Sequence, residues 1–318
     1  MIKLRRLLII GIITFALVSA CGGNTPQQTT SQAVRVVEHA RGKTEVPVNP
    51  QRVVVLGGGL DTVLSLGVKP VGSVEVDRKD YYLENKAEGI DSVGDSDSPN
   101  LEAIVALKPD LILGSKFDDP KEYELLSQIA PTVIAEVDSS GEWKEMFNQY
   151  AEALGKTDKA EQIMADYQAR IEKFQTQMGD RLKSTEISIV RVYQDRILIY
   201  LKDSFPGTIV ADAGLPRPPA QTNTNQTFNL DISKELLHKA DGDVIFVWTS
   251  GSNQELAEDD RASLKQLKAD PLWSKLKAVQ QGKVYDVPKY WIGMGPIAAN
   301  LVLDDLFEYL APQHESNN

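Results

Sequence analysis

Short apolar runs alternate with helical segments along most of this 318-residue chain, and the alternation limits the folds open to it. The apolar runs are residues 52–56, 70–76, 110–115, 132–137, 186–193, 197–201, 243–248 and 283–288. Helical patterns lie between several of them, as at residues 60–67 and 101–108. Strands that are apolar throughout are buried on both faces, as in parallel sheets with helical crossovers. The pattern predicts an α/β fold with parallel strands.

Residues 158–182 interrupt the alternation with one long amphipathic pattern. Apolar side chains recur every three or four residues, at Ala160, Ile163, Met164, Tyr167, Ile171, Phe174, Met178 and Leu182. A helix of this length spans roughly 37 Å at 1.5 Å per residue, which is enough to bridge two lobes. The alternative is a long helix inside one domain.

The two halves of the chain also resemble each other. Residues 101–113 (LEAIVALKPDLIL) align with residues 234–246 (KELLHKADGDVIF), so that Glu102 falls on Glu235 and Asp110 falls on Asp243. Chance is the alternative for so short a match. Taken as a repeat, it predicts an amino-terminal lobe over residues 34–156, a connecting helix over 157–183 and a carboxyl-terminal lobe over 184–318.

The chain opens with a pattern typical of export. A positive patch (MIKLRR) precedes fourteen uncharged residues, 7–20, which is fewer than the twenty or so that a membrane-spanning helix needs. Residues 17–21 (LVSAC) resemble the bacterial lipobox, which implies a signal peptide over 1–20 and lipidation of Cys21. Polar residues 22–33 then predict a flexible tether that extends from the lipidated Cys21. The alternative is an ordinary signal peptide with a chance cysteine.

Charge and cysteine content narrow the classes of function. Removing the three positive charges of the leader lowers the net charge from −11 to −14, so the basic footprint of a nucleic-acid-binding protein is missing. Cys21 is the only cysteine, so no internal disulfide can form and the fold depends on its core.

Four stretches resemble the iron–siderophore and vitamin B12 class of ABC-transporter substrate-binding lipoproteins, the class III periplasmic binding proteins. They are residues 50–72, 93–113, 203–221 and 290–306, in the family's order. The resemblance implies two Rossmann-like lobes joined by a long rigid backbone helix. It also implies a monomer, exported and lipid-anchored at the cell membrane facing the periplasm or exterior. Such a receptor captures a ferric siderophore between the lobes and delivers it to an ABC permease with its ATPase.

The resemblance also implies which residues contact the ligand. The chelator already saturates the iron, so the protein supplies cations and flat apolar surfaces, with no cofactor and no direct metal ligand. The cations would be Arg191, Arg217 and Arg78, since arginine pairs well with carboxylates. The aromatic contacts would be Trp248, Tyr290, Trp291 and Tyr82. The alternatives are internal salt bridges or surface positions for the arginines and core packing for the aromatics.

Glu102 and Glu235 match the two glutamates by which this family docks to arginines of the permease. The alternative is that each only favours the start of a helix, where negative charge is stabilising.

Other classes of function fit the sequence poorly. The three histidines, His39, His238 and His314, are scattered rather than clustered as a metal site requires. No nucleophile elbow is present, and Gly57-Gly58-Gly59 does not complete a dinucleotide fingerprint, so we expect no enzyme. The remaining alternatives are the same fold binding cobalamin, haem or ferric citrate, and a lipid-anchored scaffold or sensor that does not transport.

Overall fold

The structure is a computed structural model, and it describes residues 33–74, 82–96, 98–118, 121–249 and 254–311. Its strands are β1 (Val34–His39), β2 (Gly42–Pro47), β3 (Val53–Val55), β4 (Gly72–Ser73), β5 (Asp91–Ser92), β6 (Gly94–Asp95), β7 (Ser98–Pro99), β8 (Leu111–Ser115), β9 (Thr132–Ala135), β10 (Ile187–Val192), β11 (Ile197–Tyr200), β12 (Asn229–Ile232), β13 (Val244–Trp248) and β14 (Val284–Asp286). Its helices are α1 (Leu60–Ser65), α2 (Glu84–Ala87), α3 (Leu101–Ala106), α4 (Tyr123–Ile129), α5 (Trp143–Leu154), α6 (Thr157–Met178), α7 (Phe205–Asp212), α8 (Pro219–Thr222), α9 (Gln254–Lys268), α10 (Lys277–Gln280) and α11 (Pro296–Leu310).

The first main sheet is parallel throughout, in the strand order β5-β4-β3-β8-β9. Every residue of β3, β8 and β9 is buried, as the continuously apolar runs predict. We call this sheet with α1 to α5 the first lobe.

The second main sheet is mixed, in the strand order β12-β11-β10-β13-β14, and with α7 to α11 it forms the second lobe. Strands β10, β13 and β14 are parallel, whereas β11 runs antiparallel to both β10 and β12. The all-parallel expectation is therefore wrong for residues 197–201. Only four residues separate β10 from β11, too few for a crossover, so the two strands form a hairpin.

The predicted internal repeat has a structural counterpart at the amino ends of the central strands. The Asp110 carboxylate, just before β8, accepts the backbone N–H groups of Gln51 and Arg52, just before β3, at 2.7 and 2.8 Å. The Asp243 carboxylate, just before β13, accepts the N–H of Glu186, just before β10, at 2.8 Å. The same side chain thus fixes the same strand pair in both sheets.

The long helix α6 spans 22 residues, and its buried stripe includes Tyr167, Ile171 and Phe174. Its α-helical part ends at Met178, five residues before the predicted end at residue 183, and a 3-10 turn over Gly179–Ser184 continues the chain. The hairpin β1–β2 at the start of the folded body was not predicted as strands.

One hydrophobic core joins the two sheets. It contains Val55 and Leu113 from the first sheet, Ile189 and Phe246 from the second, and residues of α5, α6, α7 and α11. Residues from Ala33 onward accordingly form a single compact unit. Among the helices of the described ranges, none has the length and apolar character needed to span a membrane.

Candidate functional site

A cationic patch lies at the tip of the β10–β11 hairpin. Arg191 is half-buried and donates from Nη1 to the Tyr200 hydroxyl at 3.0 Å. Its guanidinium carbon lies 4.3 Å from the centre of the Tyr193 ring, and that of Arg196 lies 4.7 Å from the same ring. Two guanidinium groups therefore share one aromatic ring, an arrangement favourable to cation–π attraction.

Strand geometry explains this patch. Side chains at i and i+2 lie on one face of a strand, so Arg191 and Tyr193 point the same way. The Tyr193 N–H donates to the Arg196 carbonyl at 2.9 Å, which places Arg196 opposite Tyr193 across the two-residue turn. Sequence analysis named Arg191 but missed Tyr193 and Arg196. The spacing of VRVYQDR (190–196) could have indicated them once the hairpin was recognised.

The tyrosine ring of this patch is neutral at physiological pH, since an ordinary tyrosine has a pKa of about 10. Burial raises the pKa of Tyr193 to about 12, with a further contribution from the neighbouring Tyr200. At physiological pH the patch thus presents two positive charges on a neutral phenol.

Helix α9 fixes the turn that carries the patch. The buried Asp260 accepts the backbone N–H of Gln194 through Oδ1 at 2.9 Å. Because Gln194 lies between Tyr193 and Arg196, this hydrogen bond holds the hairpin tip against helix α9 of the second lobe.

Aromatic rings extend from the cationic patch to the first lobe. Tyr200 lies 5.2 Å from Trp248 and 6.0 Å from Phe228, measured between ring centroids. Phe228 lies 6.4 Å from Phe117, which follows β8 of the first lobe and is 41% exposed. Phe117 follows β8 of the first lobe and Phe228 precedes β12 of the second, so these two unpredicted rings form a contact between the lobes.

A recess of about 410 Å³ lies beside these two phenylalanines. Its other lining residues are Asp138, Ser139, Glu142, Asp203 and Thr227. Lys116 pairs with Asp138 at 2.9 Å, so part of this negative charge is compensated. Among the described residues, the carboxylates of Asp138, Glu142 and Asp203 line this recess, whereas Arg191 and Arg196 lie at the hairpin tip.

Two buried carboxylates accept hydrogen bonds from three of the predicted aromatic residues, Trp291, Tyr290 and Tyr82. Asp305 accepts the Trp291 indole N–H at 2.6 Å and the Tyr290 hydroxyl at 3.0 Å. Asp61 accepts the Tyr82 hydroxyl at 2.8 Å, and the Tyr82 and Tyr290 rings meet edge to face at 6.4 Å. Burial raises the pKa of both carboxyl groups, that of Asp61 to about 6.

Trp248 and Trp291 lie deeper than the sequence suggested. They are 2% and 0% exposed and pack 6.2 Å apart, with Phe246 4.5 Å from Trp291. Trp248 packs against Tyr200 and Trp291 packs behind Trp248, whereas Tyr82 and Tyr290 remain partly exposed.

Arg217 is half-buried beside Tyr200 in the second lobe. Its Nη2 donates to the Tyr200 carbonyl at 2.5 Å and to Gln221 Oε1 at 2.7 Å. Burial lowers the pKa of Arg217 to about 9, and its Nε and Nη1 atoms have no hydrogen-bond partner among the described residues. The proline-rich loop thus points this arginine inward, because Pro216 and Pro218 fix the chain beside the start of β10.

Glu102 and Glu235 are both exposed, each in the first turn of a helical segment. Asn100 caps the helix of Glu102 by accepting the Ala103 N–H at 3.0 Å. A hydrogen bond with the Ser233 side chain lowers the pKa of Glu235, which keeps that carboxylate charged.

The predicted signal peptide, the lipidation site Cys21, the tether up to residue 32 and Arg78 fall outside the described residues. Within the described ranges, no group of three or more His, Cys, Asp or Glu side chains is arranged to hold a metal ion.

Two α/β lobes on one shared core, with charged and aromatic side chains near the ends of their strands, are typical of a solute-binding protein. Residues 53–291 match the family model described as periplasmic binding protein, and the chain belongs to that family.

Relatives within this family are named for iron chelates. The chain is 36% identical to the probable siderophore-binding lipoprotein YfiY of Bacillus subtilis (strain 168), over 95% of this chain and 97% of that protein. It is 30% identical to the Fe(3+)-citrate-binding protein YfmC of the same organism, over 90% of each chain. The crystal structure of Staphylococcus aureus SirA complexed with staphyloferrin B matches with a TM-score of 0.78 at 32% identity, over 87% of this chain and 98% of that one.

Proposed function

We propose that this protein captures a ferric siderophore between its lobes and delivers it to an ABC permease driven by an ATPase. The observation that carries the proposal is the pair of guanidinium groups of Arg191 and Arg196 on one tyrosine ring, connected through Tyr200 and Phe228 to a recess lined by both lobes. The names of the relatives above support the same ligand class.

The chemistry of a ferric chelate fits this arrangement. The siderophore supplies the iron's ligands, so the receptor needs groups that recognise the outside of the complex. Guanidinium groups donate paired hydrogen bonds to carboxylate or other anionic oxygens. A partly buried arginine over an aromatic ring keeps its charge while losing little freedom on binding.

We assign direct contact to Arg191, Arg196, Tyr82 and Tyr290, with Phe117 contributing from the first lobe. Trp248 and Trp291 support this surface from below, because they are almost fully buried. Arg217 donates to the Tyr200 backbone carbonyl, so we assign it a positioning role beside this surface. Arg78 remains a predicted contact.

The experiment is a titration of the delipidated protein against a panel of complexes, with quenching of tryptophan fluorescence as the measure of binding. The panel contains ferric staphyloferrin B, ferric citrate, a ferric hydroxamate, a ferric catecholate, cobalamin and haem. We expect tight binding of an anionic carboxylate-type ferric complex, with ferric citrate as the second candidate. Binding of cobalamin or haem alone, or of nothing in the panel, would overturn the proposal.

The surface for the permease is the second part of the proposal. Glu102 and Glu235 would pair with permease arginines, one from each lobe, while a lipid at Cys21 holds the exported monomer at the membrane. The lobe boundaries near residues 156 and 184 belong to the same proposal. The exposure of both glutamates supports this part.

A further inference from the structure

A buried carboxylate of the first lobe forms the amino-terminal cap of a helix in the second lobe. Asp61, in the first turn of α1, is 0% exposed. Its Oδ1 accepts the Ile297 N–H and its Oδ2 accepts the Ala298 N–H, both at 2.8 Å. These amides open α11, whose own capping residue, Gly295, has no side chain to offer. The cap is thus provided by a residue 236 positions away in sequence.

The chain is built closely around this contact. A Cβ added to Gly295 would lie 2.5 Å from Asp61 Oδ1, so only glycine lets the carboxylate approach. Beside it, Met294 packs on Gly58 of the first lobe, where an added Cβ would lie 3.1 Å from the Met294 sulfur. The loop before α11 therefore lies directly on the glycine turn before α1.

The two elements joined by this contact, α1 and α11, each carry a carboxylate that binds a candidate ligand residue. On the first-lobe side, Asp61 Oδ2 also accepts the Tyr82 hydroxyl. On the second-lobe side, α11 carries Asp305, which holds Tyr290 and Trp291. A shift of α11 relative to α1 would therefore change the distance between Tyr82 and Tyr290.

We propose that Asp61 is the joint that fixes the first lobe to α11 and thereby sets the spacing of the two halves of the ligand site. Asp61 is a positioning residue, because its complete burial keeps it from the ligand. The link to ligand affinity rests on the function proposed above, whereas the joint itself does not.

Asp61→Asn tests the joint with little change of shape. Asparagine keeps one acceptor oxygen, but its amide nitrogen would face the N–H of Ile297 or Ala298, donor against donor. The matched control is Asp304→Asn, which makes the same change at an exposed site of the same helix and loses only an ion pair with Arg170 of α6. Circular dichroism and thermal unfolding confirm that each variant is folded.

The first readout needs no ligand. Spin labels are placed at the exposed Gln128 of α4 and Gln266 of α9 after each is changed to cysteine, with Cys21→Ala removing the native thiol. We expect a narrow interlobe distance distribution in the parent and in Asp304→Asn, and a broader or shifted one in Asp61→Asn. An unchanged distance distribution in Asp61→Asn would overturn the proposal that Asp61 fixes the first lobe to α11.

The second readout is affinity for ferric staphyloferrin B and ferric citrate. We expect Asp61→Asn to weaken binding about tenfold, the equivalent of 1.4 kcal/mol, and Asp304→Asn to leave it unchanged. Equal affinity of parent and Asp61→Asn would overturn the claim that the joint sets the site. A parent that binds neither complex would count against the proposed function, and the distance measurement would still decide the joint.

Discussion

At the scale of single residues, Arg191 is expected to contribute most to ligand affinity. It is held by the Tyr200 hydroxyl and stacked on Tyr193, so its guanidinium is already oriented before a ligand arrives. Replacing it with alanine should weaken binding of an anionic ferric chelate by about 1.5–3 kcal/mol, the value of a hydrogen bond to a charged group. Isothermal titration calorimetry measures this difference directly.

Lysine at the same position separates charge from geometry. Arg191→Lys keeps the positive charge but loses the planar fork that stacks on Tyr193, so we expect an intermediate affinity. Arg261→Ala removes an exposed arginine of α9 and serves as the control for net charge. Equal affinities for the parent and Arg191→Ala would remove Arg191 from the site.

Asp61 should also leave a signature in the pH dependence of stability. Burial raises the pKa of Asp61 from 3.8 to about 6, more than its three hydrogen bonds lower it. Between these two pH values the folded state holds a proton that the unfolded state has lost. The free energy of unfolding from this group therefore falls as pH rises through the window, and it is level above pH 6.

Asp61→Asn should remove this pH-dependent contribution of the Asp61 carboxyl group. Its size is on the order of 2–3 kcal/mol for a pKa raised from 3.8 to about 6. Urea unfolding of parent and variant at several values between about pH 4 and 7 gives the difference. The difference isolates Asp61 from other groups, such as His39, whose pKa burial lowers. Parallel curves for the two proteins would show that Asp61 titrates normally.

At the scale of secondary-structure elements, the start of α11 depends on the absence of a side chain at Gly295. The backbone there is extended, with φ −168°, so any residue could adopt it. The restriction is space, because Asp61 fills the position of a Cβ. Gly295→Ala should therefore destabilise the fold by about 1–3 kcal/mol, the usual cost of overpacking.

Gly58→Ala is the matched control for this prediction. Its new Cβ would meet the flexible end of Met294, which can move aside. Chemical denaturation should show a smaller loss for Gly58→Ala than for Gly295→Ala. The reverse order would mean that the Met294 contact, rather than the cap, holds the loop.

The elements that could be predicted are those whose signal is local. The runs of β3, β8, β10 and β13 are apolar because both faces of each central strand are covered, and the long stripe of α6 repeats every three or four residues. The fully parallel order failed at β11 because a four-residue connection overrides the α/β pattern. The proline-rich loop predicted Arg217 beside the ligand, but its partners Tyr200 and Gln221 could not be predicted from the local sequence.

The contacts that could not be predicted join distant parts of the chain. Asp61 reads locally as an ordinary acid at the start of a helix, and nothing nearby indicates partners 236 residues away. The same holds for Phe117 and Phe228, which meet only once the two lobes are folded together.

At the scale of the whole molecule, the shared core predicts little lobe motion on binding. Both sheets pack into one cluster with α6 and α11, so opening the lobes would expose buried apolar surface, at roughly 25 cal/mol per Å². Small-angle X-ray scattering should therefore give nearly the same radius of gyration with and without ferric staphyloferrin B. A clear contraction would instead indicate hinge closure.

Delivery to the permease should depend on the carboxylates of Glu102 and Glu235, which do not take part in binding the ferric chelate. Glu102 and Glu235 occupy matching places in the internal repeat, one per lobe, and both are exposed. The double variant Glu102→Ala/Glu235→Ala should therefore bind the ferric chelate normally and lose uptake of labelled iron in cells that carry no other copy. Exposed charge pairs are individually weak, so both glutamates must be removed together.

Glu88→Ala/Glu161→Ala makes the same change of charge at exposed sites elsewhere and should transport normally. Since a rigid receptor presents both lobes at a fixed separation, each single variant should lose only part of the uptake. Full uptake by the double variant would exclude these two glutamates as the docking pair. Loss of uptake in both double variants would point to overall charge rather than to two specific contacts.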